Sequence, residues 1–226
     1  MALIAEDLLL LLLDDVSGKA TTDRTRLDYA LGGAVLLELA MAGRVDVTEK
    51  EGWLGKQRVV VVDPAPMGDS VLDDAAAALS TGKPRDPQSA VTSLSKRLRA
   101  TLLGRLAERG VLRREEDRVL GVFPRERWPA NDATHERQLR ARLHDVLIVG
   151  LASDARTSAL IALLSAIDQA HKVIDVSDRK AVKARAKEIA QGAWAGAAVR
   201  KAVQAAESAV VAATVVATAA TSSGSG

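Results

Sequence analysis

The chain of 226 residues carries 31 Lys+Arg, 29 Asp+Glu, 3 His and no Cys, for a formal net charge of +2. That length allows one large domain or two small ones. The lack of Cys excludes a disulfide framework, a thiol nucleophile, a zinc ribbon or a thiolate-held cluster. Five aromatic residues, Tyr29, Trp53, Phe123, Trp128 and Trp194, are too few for a base-stacking platform or a sugar-binding groove.

Charge is unevenly spread. Residues 83–145 hold 15 Lys+Arg against 9 Asp+Glu, a balance of +6 that leaves −4 for the rest. On a near-neutral protein this suggests one anion-facing surface; a solvated Arg-rich face is the plainer alternative. The apolar run 8–13 is flanked by Glu6, Asp7, Asp14 and Asp15. It lacks the basic flank of a signal peptide and is too short to span a bilayer, which needs about 20 apolar residues. Any membrane contact is therefore expected from the side.

In chain order, 2–13 reads as a short buried helix. A polar connection over 14–25 turns at Ser17-Gly18. A second helix, 26–42, repeats Leu27, Leu31, Val35, Leu36 and Leu39 at helical spacing and ends at Gly43. Its Gly32 and Gly33 each cost roughly 1 kcal/mol relative to Ala, which suggests close approach by neighbouring helices. Segments 44–48 and 58–63 are strand-like, ended by Pro64 and Pro66. Asp69 or Ser70 can cap a helix to about residue 79. A long helix is expected over 88–109, closed by Gly110. Residues 111–112 and 119–123 should pair as a hairpin with Arg113 to Arg118 as its charged tip. Asp132 should cap a helix to 149, and helices at 155–170, 179–191 and 193–220 follow. The expected architecture is mainly α: one domain over 1–220 with one or two small hairpins. Residues 221–226 read as a flexible tail.

No catalytic constellation can be assembled. His135, His144 and His171 lack metal-ligand spacing, and no phosphate-cradling Gly loop or nucleophile elbow occurs. The expectation is therefore a non-enzyme with no metal and no cofactor. The basic helix is more informative. On a continuous 88–109 helix, Val91, Leu94, Leu98, Leu102 and Leu106 form one apolar stripe, while Lys96 and Arg99 share an exposed edge on which one anion could sit. Arg105 lies nearer the stripe and reads as a snorkelling or paired structural residue. A helix, a basic helix and a hairpin in sequence also allow a winged-helix DNA-binding module. Against that, the helix is longer than recognition needs and the positive balance is modest, so nucleic acid is not the expected partner.

Four blocks resemble the Golgi phosphoprotein 3 family. Leu36-Leu37-Glu38-Leu39-Ala40-Met41-Ala42-Gly43-Arg44-Val45 is similar to its L-I-E-L-A-L-R-G-R-L block. Ala65-Pro66-Met67-Gly68-Asp69-Ser70-Val71-Leu72-Asp73 is similar to its A-P-T-G-D-x-L-L-D block. The run from Arg99 to Leu112 resembles its helix entering the hairpin, and Glu6-Asp7-Leu8-Leu9-Leu10 its acidic, Leu-rich start. The resemblance covers about residues 1–210. It implies a single mainly α domain with a central helical bundle, surrounding amphipathic helices and a projecting β-hairpin, and a peripheral membrane protein on the cytoplasmic face of a membrane. Such a protein reads phosphatidylinositol 4-phosphate or a related phosphoinositide and binds client membrane proteins. The family's two basic residues of the long helix fall on Lys96 and Arg99. Its second-helix Arg falls on Gly32 and its Trp near Asp23, with Arg24 and Arg26 the nearest basic residues. The expected headgroup site is therefore Lys96, Arg99, Arg24 and Arg26, with little preference among lipids of equal charge. The hairpin 111–123 is expected to support weak, salt-sensitive homo-oligomers.

Overall fold

The computed structural model describes residues 2–49, 55–119, 123–191 and 196–222; Trp53, Trp194 and 223–226 lie outside them. Helix α1 (Ile4–Leu11) is buried on every side. Helix α2 (Arg24–Met41) is the central post: it packs against α1, α3 (Ser70–Ser80), α4 (Pro87–Leu94), α5 (Leu98–Glu108), α7 (Ala155–Ala166) and α9 (Ala197–Ser222). Its start is fixed by Asp23, whose carboxylate accepts from Thr25 N and Arg26 N at 3.0 Å. The glycine pair works as expected. A Cβ on Gly32 would stand 2.6 Å from Val91 O on α4, and one on Gly33 3.1 Å from Val210 on α9. Bare backbone on two adjacent faces of α2 thus admits both neighbours, which also pack on each other.

Strands β1 (Val45–Val47) and β2 (Val59–Val61) form a short antiparallel pair. The remaining elements are the strands β3 (Glu115–Val119) and β4 (Phe123–Arg127), helix α6 (Thr134–His144), a π turn over Asp145–Val149 and α8 (Arg179–Ala190). Asp132 lies just ahead of α6 and accepts from Thr134 N. Among the described residues the result is one mainly α domain with two small hairpins. The β3–β4 ribbon makes no extensive contact with another element and projects from the bundle. Helix α9 runs through Ser222, two residues into the segment expected as a tail.

Two expectations are corrected. The helix over 88–109 is broken: α4 ends at Leu94, and Arg97 takes a left-handed conformation (φ 60°) before α5 begins. No Gly or Pro marks the break. It exists because α4 packs on α2 and α9 while α5 turns toward α1, so the stripe Val91, Leu94, Leu98, Leu102 and Leu106 stays buried on both sides of it. The hairpin register also differs. Val111 and Leu112 pair with 129–131, not with 119–123: Asn131 N donates to Val111 O and Arg113 N to Pro129 O, both at 2.9 Å. The charged segment is strand rather than tip, with Glu115 opposite Arg127 and Asp117 opposite Arg125. The Glu115–Arg127 pair favours this register, while the like charges of Glu116 and Glu126 oppose it and are offset by Arg114, which binds both; the propensity of one strand taken alone points to the apolar 119–123 instead. Of the stretch 119–123 expected as a strand, residues 120–122 lie outside the described residues.

The acidic start explains how the layers lock. Glu6 and Asp7 are fully buried. Glu6 meets Arg105 at 3.3 Å and Arg109 at 2.8 Å, and Arg105 also holds Asp69, the α3 cap, through two 2.7 Å bonds. Asp7 meets Arg156 at 3.0 Å and His135 at 2.7 Å. Arg156 reaches on to Glu38 at 2.9 Å, and Glu38 accepts Ile4 N at 2.7 Å. Five helices and the cap of a sixth are thereby tied to two carboxylates, and Arg105 is paired, one of the two roles its position allowed.

Candidate functional site

A cavity of about 680 Å³ opens where the first turn of α2, the outer face of α5 and the base of the β3–β4 ribbon meet. Arg24, Arg99, Arg114 and Trp128 supply its polar and aromatic walls; Leu27 and Leu103 line its apolar side. Each wall has a local cause. Arg24 is the first residue of α2 and is in no ion pair among the described residues. Arg99 sits one residue into α5, its Nε 3.3 Å from Asp28 on α2. Burial pushes the Asp28 carboxyl up and the Arg99 guanidinium down, so neither is fully solvated; the nearby Arg24 charge lowers Arg99 further.

Trp128 follows β4. It is placed by Gly18, whose φ of 62° and bare Cα let the backbone of the 14–21 connection close against Trp128; a Cβ there would lie 2.3 Å from Trp128 backbone atoms. Arg114 stands 5.8 Å above the Trp128 ring and binds Glu126 at 2.6 Å, a cation–π arrangement. The 14–21 connection is anchored from the other side by Glu136 on α6. Burial first, then a hydrogen bond with the Asp15 carboxyl, push Glu136 up to about 7 against the pull of Arg140.

The four residues expected from sequence are divided by the structure. Arg24 and Arg99 share the cavity. Lys96 is exposed in the turn between α4 and α5, and Arg26 is half-buried on α2; neither lines the cavity. The exposed edge proposed for Lys96 and Arg99 required a continuous helix, which Arg97 interrupts. Gly32 is packed against α4, so no side chain from that position could reach a ligand here. Trp128 and Arg114 were missed. Trp128 was visible only as one of five aromatics in a Pro-containing loop, and Arg114 had been assigned to a hairpin tip.

Among the described residues, no group of three His, Asp or Glu side chains could hold a metal. No helix among them is long and apolar enough to cross a membrane. What the arrangement offers is an anion seat: three guanidinium groups, partly neutralised by Asp28 and Glu126, beside an indole suited to a water–apolar boundary.

Comparison with known proteins agrees with the blocks noted above. Residues 4–206 match the family model described as Golgi phosphoprotein 3 (GPP34). The chain is 26% identical over 162 residues to Vacuolar protein sorting-associated protein 74 of Eremothecium gossypii, covering 64% of this chain and 49% of that one. It is 27% identical over 161 residues to the protein of the same name from Schizosaccharomyces pombe, covering 64% and 48%. The chain thus spans about half the length of these relatives.

Proposed function

Because this chain belongs to the Golgi phosphoprotein 3 family, we propose that it is a non-enzymatic peripheral membrane adaptor. On this reading it docks on the cytoplasmic face of a membrane by seating an anionic phospholipid headgroup in the α2–α5–ribbon cavity. The carrying observation is the convergence of Arg24, Arg99 and Arg114 with Trp128 around one opening. The volume falls in the range of small-molecule sites. An anion entering it relieves the repulsion between Arg24 and Arg99 and gains charge-assisted hydrogen bonds. Trp128 beside the basic groups suits the headgroup level of a bilayer. Client membrane proteins would then be held close to the surface that the adaptor occupies. The winged-helix reading loses ground because Arg99, Arg105 and Arg109 on or next to α5 all face carboxylates. They do not form a free basic stripe.

The test is flotation with vesicles containing phosphatidylinositol 4-phosphate. Arg24→Gln with Arg99→Gln should lose about a hundredfold in affinity or more, two charge-assisted bonds being worth about 1.5–3 kcal/mol each, with the circular dichroism unchanged. Lys96→Gln should lose far less, through diffuse surface charge alone. Flotation of the double variant equal to the parent would reject the cavity. At matched charge, other anionic lipids should bind nearly as well as the phosphoinositide, because Gly32 replaces the family's second-helix Arg.

A further inference from the structure

A second cavity, of about 730 Å³, lies elsewhere on the molecule, between the C-terminal half of α6, the connection 171–176 and the start of α8. It shares no lining residue with the first. Its polar lining is Arg140, His144, His171, Lys172, Arg179 and a single carboxylate, Asp175. Arg140 is fixed as a wall: Nε and Nη2 bind Glu136 at 2.8 and 2.5 Å, and Nη1 binds the Val173 carbonyl. Lys172 and Arg179 are exposed and in no ion pair among the described residues. His171 is the unusual member. Its side chain is 6% exposed, yet Nδ1 has no hydrogen-bond partner; the Asp168 carboxylate is 3.7 Å away and already binds Lys183 at 2.9 Å. That nitrogen is thus turned to Asp168, outside the cavity lining; within the cavity five basic or protonatable side chains face one carboxylate, and two of them, Lys172 and Arg179, are in no ion pair among the described residues.

We propose that this cavity is a second anion site that takes a phosphate monoester. A dianion matches the two unpaired charges of Lys172 and Arg179. His171, on the same wall, adds a positive charge when protonated, and the remaining volume accommodates the esterified group. Burial, then Lys183, Lys172 and Arg179, hold the imidazole below its ordinary value, with Asp168 opposing. Arg140, His144 and Asp175 face it across the cavity. A bound dianion offsets those cations, so binding should draw a proton onto His171 and raise the pH at which it titrates.

The chain has three histidines, so ring resonances report the event directly. Titration with inorganic phosphate at constant ionic strength should move the His171 signals saturably and make His171 titrate about one pH unit higher, while His135, bonded to Asp7, stays still. Lys172→Ala with Arg179→Ala should weaken the effect about tenfold or more; Arg24→Gln with Arg99→Gln should leave it intact, which separates this site from the headgroup cavity. Equal movement of all three histidines, no saturation, or an unchanged titration in the Lys172/Arg179 variant would overturn the proposal. Glycerol 3-phosphate and phosphatidic acid vesicles then identify the source. Binding of the first alone assigns a soluble monoester, and vesicle binding that depends on Lys172 and Arg179 assigns a lipid.

Discussion

The molecule holds two sets of arginines that a sequence does not distinguish. Arg105, Arg109 and Arg156 meet Glu6 and Asp7, whose side chains are 0% and 4% exposed. Arg99 and Arg114 meet Asp28 and Glu126, which are 32% and 51% exposed. In the first set a guanidinium bridges two carboxylates and little water competes, as Arg105 does with Glu6 and Asp69 and Arg156 with Asp7 and Glu38. In the second the carboxylates keep part of their water, Asp28 less than Glu126, and Arg24 is left over. Burial of the acid, rather than the presence of an ion pair, separates an arginine that holds the fold from one that can turn to a ligand. A buried pair that loses one member leaves a charge without solvent, whereas an exposed pair exchanges its partner for water or a ligand at little cost.

The comparison breaks first at Arg156. Arg156→Ala leaves Asp7 and Glu38 without their shared cation. It should lower unfolding free energy by about 3–5 kcal/mol, a large share of the ~5–15 kcal/mol typical of a domain. Denaturant unfolding measures it; a loss under about 1 kcal/mol would mean the network repairs itself by protonation.

Glu207 on α9 sharpens the contrast as a carboxylate lacking a cation. Burial alone pushes it up to about 7. Because the folded pKa lies above the ordinary carboxylate value, the stability tied to this group is complete below about pH 4.5 and is lost as pH rises through 7. Glu207→Gln should therefore stabilise the protein at pH 8 by about 1–2 kcal/mol after allowance for solvent screening, and by almost nothing at pH 4.5. Parallel pH profiles of the two proteins would refute the assignment.

The smallest effect belongs to the headgroup cavity. Arg99→Gln should cost less stability than Arg156→Ala, because it removes one 3.3 Å contact to a carboxylate that keeps part of its exposure, although it weakens vesicle binding. A thermal shift as large as that of Arg156→Ala would move Arg99 into the structural set and remove it from the site.

Much of this was legible beforehand. The leucine spacing of α2 and its glycine pair pointed to a central helix with close neighbours, and the position of Arg105 near the apolar stripe marked it as snorkelling or paired. Half of the expected headgroup residues, Arg24 and Arg99, reach the cavity. Lys96 does not, because the argument for it assumed an unbroken helix and nothing local signals a break at Arg97. Trp128 and Arg114 were not legible because the hairpin register follows from pairing across strands, which the residues of one strand do not reveal.

The sequence by itself determined the helical class, the family, the buried stripe and the absence of a thiol or a metal-ligand motif, since these depend on periodicity, composition and contiguous blocks. The tertiary structure alone decided which arginines are structural. It also gathered Arg24, Arg99 and Trp128, separated by up to 104 positions in the numbering, around one opening. The physical reason is that burial and desolvation belong to a site assembled from distant segments: the same guanidinium is a bolt against Glu6 and a ligand group beside Asp28, and only the packing around it sets which.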